Sequence, residues 1–140
     1  MLKTGLLHPG IIGALATMGH GSTILLADGN FPFSTHTNPA AAHVYLNLRP
    51  GLVSVTDVLE TLVAAIPVEA AHVMQPAEGP EPPIFDEFRA LIPGIPLQPV
   101  GRFEFYDLGR RSEVGLVVAT GEARIYANIL LTIGVVPPTA

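Results

Sequence analysis

An imidazole between two glycines and a carboxylate at the end of an apolar run are the first groups in this chain that packing does not call for. His20 lies in Met18-Gly19-His20-Gly21, where the glycines leave the ring unshielded and open to a ligand. Such a ring suits a general acid or base, and its plain alternative is a structural loop histidine. Asp28 follows the apolar stretch Thr23 to Ala27 and precedes Gly29. It can fix a hydroxyl or orient an imidazole, or it can serve only Asp-Gly turn chemistry. Arg102, one of few basic residues, opens Arg102-Phe103-Glu104-Phe105-Tyr106. Its guanidinium can hold sugar hydroxyls or a developing oxyanion, or pair with Glu104 or a neighbouring carboxylate. Tyr126 and Asn128 stand two apart, and a phenol beside an amide suits either hydroxyl recognition or a satisfied polar contact at an interface.

Several chemistries find no support. There is no G-x-G-x-x-G, P-loop or G-x-S-x-G. Cysteine is absent, which excludes disulfides, thiolate nucleophiles and Cys-based zinc sites. His8, His20, His36, His43 and His72 show no H-x-H or H-x-x-x-H spacing, so a metal site would have to be assembled across the fold. A net charge of -5 without a basic cluster argues against nucleic acid as a partner. No run reaches the roughly 18 apolar residues of a membrane span. His8 and Pro9 break the N-terminal apolar stretch where a signal peptide needs continuity, which leaves a cytoplasmic protein as the expectation. Apolar residues make up 49% of the chain and charged ones 14%, too little polar material to cover a monomer, so part of the excess is expected between subunits of a homo-oligomer.

The elements that must position these groups follow from periodicity. Pro9 and the spacing of Ile11, Ile12, Leu15 and Met18 predict a helix over 9–18 that Gly19 ends, with His20 near its negative end, where a protonated imidazole is favoured. A buried strand over 23–27 then runs from the His20 loop to the Asp28 turn. The two groups can share a site only if the loop folds back or a second subunit completes the pocket. Residues 30–42 read as a loop, 44–48 as a strand, and 55–66 as an amphipathic helix with Ser54 and Asp57 as a capping pair. A short strand over 70–75, a proline-rich connection over 76–83 and a helix over 85–92 come next. Residues 97–106 are expected as a strand with Phe103 and Phe105 on one face and Arg102, Glu104 and Tyr106 on the other, where they could line a polar pocket. Strands over 114–120 and 125–133 close the chain as a hairpin-like pair about Gly121-Glu122, with Tyr126 and Asn128 on one face. The whole reads as one α/β layered domain, residues 1–140, with a mixed sheet.

Taken together, M-L-K-T at the start, M-G-H-G from Met18, A-D-G-N-F-P from Ala27, R-F-E-F-Y from Arg102 and T-G-E-A-R-I-Y-A-N-I-L-L from Thr120 resemble the ribose pyranase and fucose mutarotase family, in family order from Met1 to about Val136. The R-F-x-F-Y block with Arg102 is the pattern of the fucose mutarotases. The resemblance implies a three-layer α/β/α fold, His20 as catalytic proton donor, and Asp28, Arg102, Tyr126 and Asn128 as sugar-binding residues with Tyr106 near the site. It also implies no cofactor, and a decamer of two pentameric rings with the pocket near a subunit contact. Two positions depart from the pattern: Asn30 stands where many fucose mutarotases carry a histidine, and Ala127 replaces the glycine of Y-G-N. The loop from Phe33 to Ala42 matches no family pattern.

The expected activity is therefore interconversion of monosaccharide anomers, or of pyranose and furanose forms, with L-fucose first in line and D-ribose next. A positioned proton transfer contributes about 10² to 10⁴ in rate to such ring opening. The alternatives are a non-catalytic sugar-binding module tied to uptake or regulation and a metal-dependent sugar isomerase using the scattered histidines.

Overall fold

The computed structural model describes residues 1–139. In chain order the elements are α1 (Pro9–Thr17), β1 (Thr23–Ala27), β2 (Ala42–Leu46), α2 (Val55–Val63), β3 (Val68–Met74), α3 (Ile84–Leu91), β4 (Leu97–Val100), α4 (Arg102–Arg110), β5 (Val114–Thr120) and β6 (Ile129–Ile133). Helix starts follow local chemistry. His8 caps α1, its Nδ1 accepting from the Gly10 and Ile11 amides at 3.1 and 3.3 Å, with Pro9 in the first turn. Ser54 Oγ accepts from the Asp57 amide at 3.1 Å at the start of α2, where the sequence placed a capping pair.

The six strands form one sheet in the order β2-β5-β1-β6-β3-β4. β6 is antiparallel to both neighbours, β1 and β3, while the pairs β1/β5, β2/β5 and β3/β4 are parallel. Five strands thus end on one edge of the sheet, and β6 begins there. Alternation along β1 splits the core: Ile24 and Leu26 join residues of α1, α2 and α3 on one face, and Leu25 and Ala27 join Phe105 and Leu108 of α4 on the other. This is the expected three-layer α/β/α domain with a mixed sheet.

Three local expectations are corrected. The segment 97–106 is not one strand: β4 stops at Val100, and Arg102 through Tyr106 open α4. The helical stripe is Phe105, Leu108 and Gly109, all buried, and a pattern read only as far as Tyr106 mimics a two-residue period. Arg102, Glu104 and Tyr106 therefore do not share a strand face. β5 and β6 are not a hairpin, because β1 lies between them. Finally, β6 begins only at Ile129, so Tyr126 and Asn128 belong to an irregular segment, with Tyr126 in the left-handed region at φ 58°.

Two glycines permit close backbone approaches, one beyond the end of β5 and one beside its start. A Cβ on Gly121 would stand 2.1 Å from the Leu52 carbonyl oxygen, and one on Gly109 would stand 2.8 Å from that of His36. The second contact seats the 31–41 loop on α4. Asn38 reinforces it, its amide donating to the Gly109 carbonyl at 2.8 Å and its Nδ2 to the Val114 carbonyl at 2.9 Å.

Candidate functional site

Parallel strands leave a crevice beyond their carboxyl ends, and that is where the polar residues gather. A cavity of ≈ 410 Å³ there is lined by Asp28 after β1, Arg102 and Tyr106 from α4, and Tyr126 and Asn128 before β6. Asn30, Phe31, Met74 and Ile125 complete the lining. Five of the six residues singled out from sequence thus meet in one place, although two of the elements carrying them differ from expectation.

Asp28 is the most constrained of the five, with 3% of its surface exposed. Its Oδ1 accepts from the Asn30 amide at 3.0 Å, and its Oδ2 from the Ala127 amide at 3.2 Å and from Asn128 Nδ2 at 3.1 Å. In return, the Asp28 amide donates to Asn128 Oδ1 at 2.8 Å. Burial pushes the Asp28 pKa up, and these hydrogen bonds from Asn30, Ala127 and Asn128 oppose the rise. The Phe31 amide opposes the rise as well, so the carboxylate is held by its neighbours at the wall of the cavity.

Arg102 makes no ion pair with Glu104 among the described residues. Its guanidinium carbon lies 5.1 Å from the Phe103 ring centre and 5.6 Å from that of Tyr106. Tyr106 is itself held edge-on by Phe31 at 5.5 Å and by His36 at 4.7 Å. The aromatic packing sets the direction of a guanidinium whose donors remain available.

The Tyr126 segment is anchored by a carboxylate that the sequence suggests only as part of a turn. Glu122, 4% exposed, accepts from the Arg124 amide and Nε at 3.0 Å each and from Arg124 Nη2 at 2.9 Å. Its Oε2 also accepts from the Val55 amide at 3.3 Å, and Arg124 bonds outward to Glu87 of α3. The Arg124 guanidinium, foremost among these partners, holds the Glu122 carboxyl below its usual range and is itself raised. This clamp joins the segment to the starts of α2 and α3.

His20 is elsewhere. Its Nε2 pairs with Glu69 at 3.0 Å, on the exposed edge where β3 begins and β6 ends. The five residues of β1 alone hold it about 17 Å from Asp28. The loop does not fold back. Nothing in the sequence signalled Glu69, which is 49 positions away.

The other histidines are dispersed. His8 caps α1, His43 pairs with Thr37 at 2.8 Å, His36 packs on Tyr106, and burial followed by the nearby Arg111 charge lowers the pKa of His72 on β3. Among the described residues no group of three His, Cys, Asp or Glu could hold a metal ion, and no helix is long and apolar enough to cross a membrane.

Residues 1–136 match the RbsD / FucU transport protein family. The chain is 33% identical to D-ribose pyranase of Symbiobacterium thermophilum over 135 residues, covering 96% of this chain and 98% of that protein. It is 33% identical to fucose mutarotase of Danio rerio over 145 residues, covering 94% and 91%. The crystal structure of the Streptococcus pneumoniae fucose mutarotase in complex with L-fucose superposes with a TM-score of 0.81 at 26% identity, covering 98% of this chain and 100% of that one. A match along nearly the whole length in both sequence and fold makes this chain a member of the RbsD / FucU family.

Proposed function

We propose that this protein is a monosaccharide mutarotase, interconverting anomers or ring forms of L-fucose or a D-ribose-like sugar by proton transfer. The observation that carries the reading is the convergence of Asp28, Arg102, Tyr106, Tyr126 and Asn128 on one cavity, in a chain whose relatives are a ribose pyranase and fucose mutarotases. Opening a cyclic hemiacetal removes a proton from the anomeric hydroxyl, protonates the ring oxygen and breaks the bond between that oxygen and the anomeric carbon. Closure on the other face reverses the transfers after the aldehyde rotates. In this reading Asp28 accepts one sugar hydroxyl, Asn128 and Tyr126 hold the ring, and Arg102, on its aromatic support, stabilises negative charge on the departing oxygen.

His20 supplies the proton from a neighbouring subunit. Within one chain it sits on the opposite edge of the sheet, so only a second copy brings it to the cavity. Phe103 and Ile125 beside the cavity are 72% and 67% exposed, an apolar rim that another subunit would cover. A contact joining one edge of the chain to the opposite edge of the next is head-to-tail, and such contacts form a ring when the rotation between subunits closes. Rings of this kind, five subunits each and paired as a decamer in the cytoplasm, are the assembly proposed.

Saturation-transfer NMR on equilibrated L-fucose and D-ribose tests the activity. Anomer exchange faster than the spontaneous rate, lost in His20→Ala and unaffected by a chelator, is the expected result. Retained sugar binding with spontaneous exchange would make the protein a binding module. Loss of activity on chelation would point to a metal-dependent isomerase.

A further inference from the structure

We propose that Glu69 is a positioning residue for ring opening: it holds His20 in the tautomer that keeps a hydrogen on Nε2 and leaves Nδ1 for the sugar of the neighbouring subunit. This role rests on the mutarotase reading and on His20 serving a neighbouring cavity. Both carboxylate oxygens of Glu69 lie within reach of His20 Nε2, at 3.1 and 3.0 Å. A carboxylate only accepts hydrogen bonds, so Nε2 carries a hydrogen. Nδ1 makes no hydrogen bond among the described residues and is the nitrogen left for chemistry. The two side chains are 59% and 45% exposed, which leaves the ring accessible to a second copy of the chain.

The backbone around the pair is specialised on both flanks. β3 pairs with β6 through Val68 and Ile133, then through Ala70 and Thr132, which makes Glu69 the extra residue of a bulge. Bulges re-aim a side chain and gather next to active sites. The other flank of the His20 loop carries a second one, where β1 pairs Thr23 with Val114 and then Ile24 with Leu116. Between the two, the Gly21 amide donates to the Ile133 carbonyl at 3.0 Å and the Ile133 amide to the Ser22 carbonyl at 2.9 Å, while the Gly134 amide donates to the Pro67 carbonyl at 2.9 Å. One end of β6 thus fixes both the loop that carries His20 and the strand start that carries Glu69. Gly134 leaves room for the carboxylate: a Cβ there would stand 3.3 Å from the Glu69 Cβ and 3.6 Å from its Oε2. An exposed ion pair adds little to stability, so folding does not account for this much local construction. A histidine that moves a proton does, because a general acid acts only with its nitrogen held at the reacting oxygen. As Nδ1 gives its proton to the sugar oxygen, the N–H bond breaks and an O–H bond forms. The electron pair stays on Nδ1, and the hydrogen on Nε2 remains with Glu69.

The test joins two measurements on the assembled protein. Saturation-transfer NMR reads anomer exchange, and nitrogen NMR of histidine-labelled protein reads the His20 tautomer, with His20→Gln supplying the assignment. Glu69→Ala should lower exchange at saturating sugar about a hundredfold, within the worth of one positioned proton transfer, and leave half-saturation little changed. Glu69→Gln still offers Nε2 an oxygen, and a neutral bond is about half as strong as a charge-assisted one, so turnover should return to about a tenth of the parent value. The parent should show the hydrogen on Nε2, and Glu69→Ala a mixture of tautomers. Both variants should match the parent in light scattering and in urea melts. Parent-like exchange in Glu69→Ala, or an unchanged tautomer, overturns the positioning role and leaves the mutarotase reading standing. So does a rise in half-saturation that accounts for the loss, which would make Glu69 a sugar contact, or disassembly of both variants, which would make it a packing residue of the interface. Exchange at the spontaneous rate in the parent itself would remove the mutarotase reading and this role with it.

Discussion

Asn128 grips Asp28 from two sides, through the backbone amide and the carboxylate, and the pair holds the turn after β1 against the segment before β6. Asn128→Ala leaves a buried N–H without an acceptor and a buried carboxylate without one donor. The expected loss is about 2 to 4 kcal/mol in a urea melt, together with a raised half-saturation for sugar. A loss below about 1 kcal/mol would mean that the pair is not what ties the two segments. The pH response at Asp28 has a definite sign. Its pKa is raised on folding, so the folded chain holds the proton more tightly than the unfolded one. At this residue, stability therefore rises as pH falls from the raised value toward the ordinary aspartate range. Asp28 and Asn128 were both legible as polar residues out of place in apolar surroundings. Their partnership, 100 residues apart, was not, because sequence spacing carries no information on contacts that the sheet order creates.

At the scale of elements, the segment from Glu122 to Asn128 depends on the Arg124 clamp. Arg124→Ala strips the buried Glu122 carboxylate of its guanidinium, at a cost of about 2 kcal/mol once solvent access to the arginine is allowed for. It should also raise half-saturation for sugar more than it lowers turnover, because Tyr126 is loosened without touching a proton carrier. Arg124→Lys should recover only part, since one ammonium cannot reproduce a fork of donors. Here the pH dependence is opposite to that of Asp28. The Glu122 pKa is lowered on folding, so its stabilisation is complete above the ordinary glutamate range and lost as pH falls through the lowered value. The stability difference between the parent protein and Glu122→Gln should accordingly shrink on acidification, as urea melts at several pH values would read. A gap that stays constant with pH would show that the clamp is not ionic.

For the whole molecule, the separation of His20 from the cavity makes a quantitative demand. If each site takes its imidazole from one subunit and its cavity from the next, His20→Ala and Asp28→Asn proteins are each inactive. Unfolded together in equal amounts and refolded, they should regain about a quarter of the parent activity, because one contact in four joins an intact His20 to an intact Asp28. No recovery in refolded mixed oligomers would place both groups in the same subunit and contradict the shared site. Light scattering on the same samples reads the ring size.

Periodicity and composition determined the helices α1, α2 and α3, the strands β1, β2, β3 and β5 and the layered class, because each is written in local patterns of burial and polarity, while the five residues that line one cavity stood out by side-chain type and by the family resemblance. The tertiary structure alone decided the rest. It turned Arg102 to Tyr106 into a helix through contacts at Leu108 and Gly109 that lie beyond the apparent strand, and it separated β5 from β6 by inserting β1. It also placed His20 and Asp28 at opposite ends of that strand. Strand order and edge are long-range choices, made by which apolar faces can be buried together, and no run of neighbouring residues encodes them.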